Sequence, residues 1–151
     1  MKLITELTDE HGSLTTKLIK VPIGEESSKI LQLEEMVQIM KDNEGLGLTA
    51  NQVGLTDKMF VMIINYGTEK EYIEYVINPV ILTRGRETAI ELEGCLSYPN
   101  KEIEIKRPRM IRVRYHNGHS LVKFKELKGL NARIFCHEMG HVKGECPLSK
   151  V

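Results

Sequence analysis

The segment that most constrains this chain is FCHEMGHVKG at residues 135–144, which contains the pattern His-Glu-x-x-His. Four residues make about one turn of an α-helix. A helical segment therefore places His137 and His141 on one face, where both imidazoles can bind the same metal ion. Glu138 then reaches a water molecule at that ion and can act as a general base. A solvated surface helix can carry the same letters, so the rest of the chain has to support a metal site.

Length and charge narrow the classes of function. The chain has 151 residues, which suits one domain with a hydrophobic core. It carries 21 Lys plus Arg and 21 Asp plus Glu, and this balance argues against nucleic acid or a membrane surface as a partner. No apolar run approaches the roughly 18 residues of a membrane-spanning helix, and the N-terminus lacks the charged, apolar and small-residue pattern of a secretory leader. We therefore expect a soluble protein made in the cytosol. The expected organisation is a single catalytic domain over residues 1–151.

Hydrophobic spacing predicts two helices separated by short strands. Apolar residues recur at three and four positions from Ser27 onward, which is typical of an amphipathic helix capped by Ser27 or Ser28 and ended at 43–45. Residues 1–24 read as an extended arm. The fold class predicted is α+β, with antiparallel β-sheets packed around a central helix that carries His-Glu-x-x-His, plus one N-terminal helix. The strand-like runs are 59–64, 72–77, 80–83, 88–92, 103–105, 110–115 and 121–127, with breaks that include Asn78-Pro79 and residues 93–99.

A third metal ligand is sought among three cysteines, whose odd number argues against a disulfide framework. Cys136 adjoins His137 and points about 100° away from it on a helix. Cys146 lies five residues beyond His141 and reaches back only with strain. Cys95 lies in a glycine-flanked turn between strands, where a second element can hold a thiolate rigidly. Cys95 could instead be a small buried residue of the core, but we prefer it as the third ligand.

A Cys/His/His site carries one thiolate, which leaves a formal charge of +1 with a divalent ion. Such an ion lowers the pKa of a bound water and supplies hydroxide near neutral pH. Attack on a carbonyl produces an oxyanion, which the Gln52 amide and the Leu96 backbone N–H can stabilise if both loops meet at the site. The chemistry predicted is amide hydrolysis, with Glu138 taking a proton from water and returning it to the leaving amine.

Three segments then occur in order: GLGLTANQ at 45–52, EGCLS at 93–97 and HEMGH at 137–141. Together they resemble the peptide deformylase family, whose pattern is GxGLAAxQ, EGCLS and HExxH, and the resemblance covers nearly the whole chain. It implies that Cys95, His137 and His141 bind the metal and that Glu138 is the general acid and base. It also implies that Gln52 and the Leu96 N–H polarise the formyl oxygen.

The resemblance implies an activity and a cofactor as well. Members of this family remove the N-formyl group from nascent chains that begin with formylmethionine, releasing formate and a free amine. The expected partners are N-formylmethionyl peptides, without nucleic acid or membrane. The expected cofactor is one divalent metal ion, Fe(II) physiologically, with Zn, Ni or Co as substitutes. Ligand chemistry alone would have favoured zinc.

Further site residues follow from the same resemblance. Glu93 is expected to pair with Arg107 and so to brace Cys95. An apolar pocket is expected to take the methionine side chain. The residues expected to bind substrate are Gly45, Leu46, Gly47, Gly94, Leu130 and Ile134.

Several positions depart from the family pattern. Thr49 replaces an alanine near the oxyanion side, and Gly140 replaces an acidic residue, so one supporting interaction is expected to be missing. Arg133 stands where many relatives have an apolar residue, so either its side chain extends out to solvent or substrate preference differs. The chain ends ten residues after His141, so ribosome contact through a C-terminal helix is not expected. Such short forms resemble phage-encoded or organellar-type deformylases, and the expected location is a bacterial cytosol, including that of a phage-infected host.

Two other functions remain open. A zinc endopeptidase is one, because 137–144 begins like HExxHxxGxxH, but position 147 is proline rather than a third histidine. A catalytically inactive relative that keeps a binding or structural metal is the other. The intact ligands, base and glutamine argue against the latter.

Overall fold

The structure is a computed structural model that describes residues 1–119 and 121–151. Its two α-helices are α1, Ile30–Asp42, and α2, Leu130–Val142. Short 3₁₀ turns precede α1, follow the first strand and close the chain at Pro147–Lys150. The strands are β1 Gly47–Thr49, β2 Met59–Ile64, β3 Tyr72–Arg84, β4 Thr88–Cys95, β5 Tyr98–Pro108, β6 Met110–His116 and β7 Val122–Lys128.

All strand pairs within the two sheets are antiparallel. The larger sheet has the order β1-β2-β3-β6-β7, and β4 and β5 form a separate two-stranded hairpin. Helix α2 packs against β1, β2 and β7 and also touches β5, so it lies between the two sheets. The expected α+β class with a central helix is confirmed.

The core is built where α2 meets the larger sheet. Phe135 of α2 is fully buried and contacts Phe60 of β2 edge to face, with ring centroids 5.1 Å apart. All six residues of β2 are buried, and the strand pairs with β1 and β3 along its two edges and contacts both α1 and α2. Burial of such aromatic and aliphatic side chains fixes the rotation of α2 and so the direction in which its polar face points.

Several boundaries differ from the sequence prediction. The predicted break at residues 93–99 is too long, because β4 runs to Cys95 and β5 begins at Tyr98. The predicted break at Asn78-Pro79 is wrong, because β3 continues through it with a shift of register between Ile77 and Val80. Such a bulge removes the need for a ladder hydrogen bond from proline. Ser27 and Ser28 do not cap α1: they lie in a 3₁₀ turn, and the hydroxyl of Ser28 donates to the carbonyl of Glu25 instead.

The N-terminal arm, residues 1–24, is only partly extended, because turns and the 3₁₀ helix Ser13–Thr15 interrupt it. It hydrogen-bonds to several segments around α2. Its backbone amides donate to the carbonyls of Gln52, Ser97 and Val142, each on a different element. None of the helices in the described ranges is long and apolar enough to cross a membrane.

Candidate metal centre and active site

Four potential metal ligands converge at one end of α2. The donor atoms of Cys95, His137, His141 and Cys146 all lie within 4.8 Å of one another. The two imidazole centroids are 4.6 Å apart, and Cys95 Sγ lies 3.5 Å from Nε2 of His141. Helix α2 supplies the two imidazoles one turn apart, and the end of β4 supplies Cys95. The structure therefore brings together the three residues that the sequence predicted as ligands.

The first histidine is oriented by a buried carboxylate. Nδ1 of His137 lies 2.9 Å from Oε1 of Glu93, which leaves Nε2 as the nitrogen available to an ion. Arg107 donates to both oxygens of the same carboxylate at 3.0 and 2.9 Å, as the sequence predicted. Burial alone would raise the pKa of Glu93, but hydrogen bonds with His137 and Arg107 lower that pKa to about 2. Glu93 therefore stays ionised and holds the His137 ring in place.

Arg133 is a second cation on this carboxylate. Its side chain is buried and donates to Oε2 of Glu93 at 2.6 Å. Its remaining donors reach the carbonyls of Ile105 at 2.9 Å and Ala89 at 2.8 Å, one on each strand of the β4–β5 hairpin. Of the two alternatives stated for Arg133, extension to solvent is wrong, and a different substrate preference stays a prediction. Its position four residues before His137 on α2 was the sequence signal for this role, because that spacing puts both on one helix face.

The second histidine forms a pair with the predicted general base. Nδ1 of His141 lies 3.0 Å from Oε1 of Glu138. Burial opposes ionisation of both, but the Glu138 charge raises the pKa of His141 to about 9, and the His141 charge lowers the pKa of Glu138. Glu138 is thus a buried carboxylate beside the cluster, as a general base requires. An ion that binds Nε2 has to displace the extra proton from His141.

Thr49 contacts both Glu138 and Gln52. Its hydroxyl donates to Oε1 of Glu138 at 2.9 Å, and Thr49 is fully buried. The other oxygen, Oε2, faces Gly47, where a Cβ would lie only 2.6 Å from it. The backbone N–H of Thr49 also donates to Oε1 of Gln52 at 2.9 Å, so Thr49 lies beside the residue predicted to stabilise the oxyanion. A glycine at 47 is required for Glu138 to lie where it does.

Gln52 links the two halves of the cluster. Its Oε1 lies 3.0 Å from Nδ1 of His141, and its Nε2 donates to Ser97 Oγ at 3.0 Å and toward Cys95 Sγ at 3.7 Å. The amide therefore points at the metal centre from the side of β1. Leu96 follows Cys95 in the hairpin turn and borders the same space. Stabilisation of an oxyanion by Gln52 and the Leu96 N–H stays a prediction.

Cys146 also lies in the cluster. The prediction that it reaches back only with strain is wrong, because the structure places its sulfur beside the donor atoms of Cys95, His137 and His141. The hydrogen bond with the Cys95 thiol, and then His141, lower the pKa of Cys146 to about 4 against the effect of burial. The same hydrogen bond, followed by burial, raises the pKa of Cys95. A divalent ion bound between the two sulfurs would favour the thiolate form of both.

A cavity of about 800 Å³ opens beside the cluster. Its size is within the usual range for small-ligand sites. Leu92, which was not predicted, also lines it. Charged and amide side chains border it as well, among them Glu44, Asn100 and Lys101. The lining includes every residue that was expected to bind substrate, namely Gly45, Leu46, Gly47, Gly94, Leu130 and Ile134.

The chemistry of the donors fits a divalent transition metal. Thiolate sulfur and imidazole nitrogen are ligands that both zinc and iron use in proteins. Here the sulfur of Cys95 comes from β4 and the nitrogens of His137 and His141 come from α2. Each predicted histidine ligand also has its Nδ1 held by a carboxylate, which is the usual support for such a ligand.

Comparison with known proteins gives a consistent result. Residues 1–151 match the family described as polypeptide deformylase. The chain is 39% identical over 119 residues to a peptide deformylase from Thermotoga neapolitana, covering 79% of this chain and 70% of that one. The crystal structure of a Thermotoga maritima peptide deformylase superposes with a TM-score of 0.85 at 33% identity, over 98% of this chain and 95% of the other. A probable peptide deformylase from the Synechococcus phage S-SSM7 superposes with a TM-score of 0.87 at 28% identity, over 100% and 99%.

Proposed function

The chain belongs to the polypeptide deformylase family, and we propose that it hydrolyses the N-formyl group of N-formylmethionyl peptides. The products are formate and a peptide with a free amino terminus. The substrates in the cell are nascent chains, so the place of action is the cytosol in which they are made. The convergence of Cys95, His137 and His141 beside Glu138 is the observation that carries this proposal.

The cofactor that this proposal requires is one divalent ion held by those three residues. Fe(II) is the physiological ion that the family resemblance implies, and Zn, Ni or Co can replace it. When bound, the ion acts as a Lewis acid and makes a water molecule a competent nucleophile near neutral pH.

Protein groups perform the remaining steps. Glu138 removes the proton from the attacking water and later gives it to the leaving nitrogen of the peptide. The carboxylate is ionised and so can accept this proton, because His141 and the Thr49 hydroxyl lower its pKa against the effect of burial. The Gln52 amide and the Leu96 N–H donate to the formyl oxygen as negative charge develops on it. In the free protein the Gln52 amide group donates to Ser97 and, over a longer distance, to the sulfur of Cys95. The N–H that faces the sulfur turns toward the substrate.

The cavity accounts for substrate preference. Leu46, Leu130 and Ile134 give it an apolar side that suits the methionine side chain. Glycines 45, 47 and 94 border the same space, and their lack of side chains lets an extended peptide approach the metal centre.

The test is formate release from formyl-Met-Ala-Ser by metal-loaded protein. We expect turnover of this peptide and none of acetyl-Met-Ala-Ser, because the acetyl carbonyl carries a methyl group where the formyl carbon carries hydrogen. Formate release that is no faster than in the absence of protein, at full metal occupancy, would identify an inactive metal-binding relative. Cleavage of an internal bond in an unformylated peptide would identify an endopeptidase instead.

A further inference from the structure

The last nine residues of the chain return to the metal centre. Helix α2 ends at Val142, and Gly144 takes a left-handed conformation with φ of 77°. A Cβ at Gly144 would collide with the backbone of Thr15, so the reversal is packed against the N-terminal arm. The amide of Glu145 then donates to the carbonyl of Gly140 at 2.9 Å, which directs the chain back along the helix end.

Cys146 follows this reversal and is held there by packing. It is buried, and Leu148, two residues later, is fully buried in a small cluster with Leu14 and Tyr98. The 3₁₀ turn Pro147–Lys150 closes the segment. At Gly140 a Cβ would lie 3.2 Å from the carbonyl oxygen of Glu145, so the returning chain packs closely against this turn of the helix. Packing of this segment therefore holds the sulfur of Cys146 in place.

The four donor atoms have the spacing of one coordination sphere. Metal–sulfur and metal–nitrogen bonds of about 2.0–2.3 Å put tetrahedral donors roughly 3.3–3.8 Å apart. The donors of Cys95, His137, His141 and Cys146 lie within 4.8 Å of one another, so small side-chain rotations bring all four to one ion. Cys136 is also buried on α2, but it is not a member of this group.

We propose that Cys146 is a fourth protein ligand of the metal ion, which the site holds with two thiolates and two imidazoles. This inference deepens the proposed function and rests on it for the presence of an ion. A second thiolate brings the formal charge of the loaded site to zero, where Cys/His/His leaves +1. It would also occupy the position that a catalytic site with three protein ligands leaves to water, so the water that the proposed function requires would have to enter as a fifth ligand.

Cobalt(II) is the probe that tests this directly. Reduced wild-type protein is loaded anaerobically with one cobalt(II) ion, and X-ray absorption counts the sulfur neighbours of the metal. We expect two sulfurs per ion. The sulfur-to-cobalt charge-transfer band of Cys146→Ala should fall to about half its wild-type intensity, because one of two thiolates is lost. Cys136→Ala removes a buried sulfur outside the group and should leave the band unchanged.

Affinity gives a second reading. We expect Cys146→Ala to bind zinc at least about tenfold more weakly than the wild type. Removal of a group that only hydrogen-bonds to a metal ligand already costs about tenfold, and here a ligand itself is lost. Cys146→Ser, which keeps the size of the side chain, covers the case in which the alanine variant does not fold. One sulfur per cobalt in the wild-type protein, with equal bands in wild type and Cys146 variants, would overturn the proposal. Absence of formate release beside two sulfurs per ion would reject the proposed function and leave this ligand assignment intact.

Discussion

Nδ1 of His137 lies 2.9 Å from the Glu93 carboxylate, on an element 44 residues earlier in the chain. The same carboxylate receives Arg107 from β5 and Arg133 from α2. One buried anion therefore fixes the rotation of a metal ligand and attaches the β4–β5 hairpin, which carries Cys95, to helix α2. Ligand geometry and hairpin position depend on the same group.

Glu93→Gln should weaken metal binding by about 10- to 100-fold, because the neutral amide has one acceptor oxygen instead of two and no charge with which to hold His137. The measurement is competition for zinc against a chromophoric chelator. Glu126→Gln is the matched control, since Glu126 also pairs with arginine but at an exposed site on β7. Equal affinities for the two variants would show that Glu93 does not support the ligand.

Glu93 should also make stability depend on pH. Its folded-state pKa is about 2, below the ordinary 4.5, so the ionised form stabilises the fold above pH 4.5 and this contribution is lost as pH falls toward 2. The contribution is about 3 kcal/mol. The unfolding free energy of metal-free wild type should exceed that of Glu93→Gln near neutral pH, and the gap should narrow below pH 4.5. A gap that stays constant across this range would contradict the assignment.

Arg133→Met should destabilise the protein by about 3–5 kcal/mol, because it removes a buried partner of Glu93 and leaves the carbonyls of Ala89 and Ile105 without their donors. Urea unfolding of metal-free protein measures this. Arg112→Met is the control. Arg112 pairs with Glu126 at an exposed site, so its loss should cost less than about 1 kcal/mol. Similar midpoints for both variants would mean that the Arg133 contacts contribute no more than a surface ion pair.

Thr49→Val should move the acid limb of the pH–rate profile for formate release to higher pH. Burial raises the pKa of Glu138, while His141, His137 and the Thr49 hydroxyl lower it, so losing the hydroxyl raises that pKa. Ionised Glu138 is then present only at higher pH. Thr49→Ser keeps a hydroxyl at this position and should keep the wild-type limb. If the acid limb of Thr49→Val does not move, Thr49 does not influence the pKa of Glu138.

Local pattern was enough for the parts of the site that lie within one element. The spacing of His137 and His141 fixed their common face, and Arg133 could have been assigned to that face by the same rule. Pairing of Glu93 with Arg107 came from family resemblance and is present in the structure.

Contacts between distant segments could not be read in this way. The return of Cys146 depends on Gly144 packing against Thr15 and on Glu145 bonding to Gly140, neither of which leaves a periodic signal. Continuation of β3 through Pro79 depends likewise on a bulge against β6. The role of Thr49 required knowing that β1 lies against α2, since Glu138 is 89 residues away in the chain.

Metal content and formate release, measured on the same samples of wild type and Glu138→Ala, test the central claim most directly. The account predicts about one ion per chain in both proteins, turnover of formyl-Met-Ala-Ser in the wild type, and a loss of about 10²-fold or more in the variant. A variant that loses its ion would make Glu138 a ligand. Undiminished turnover in the variant would contradict its role as the base.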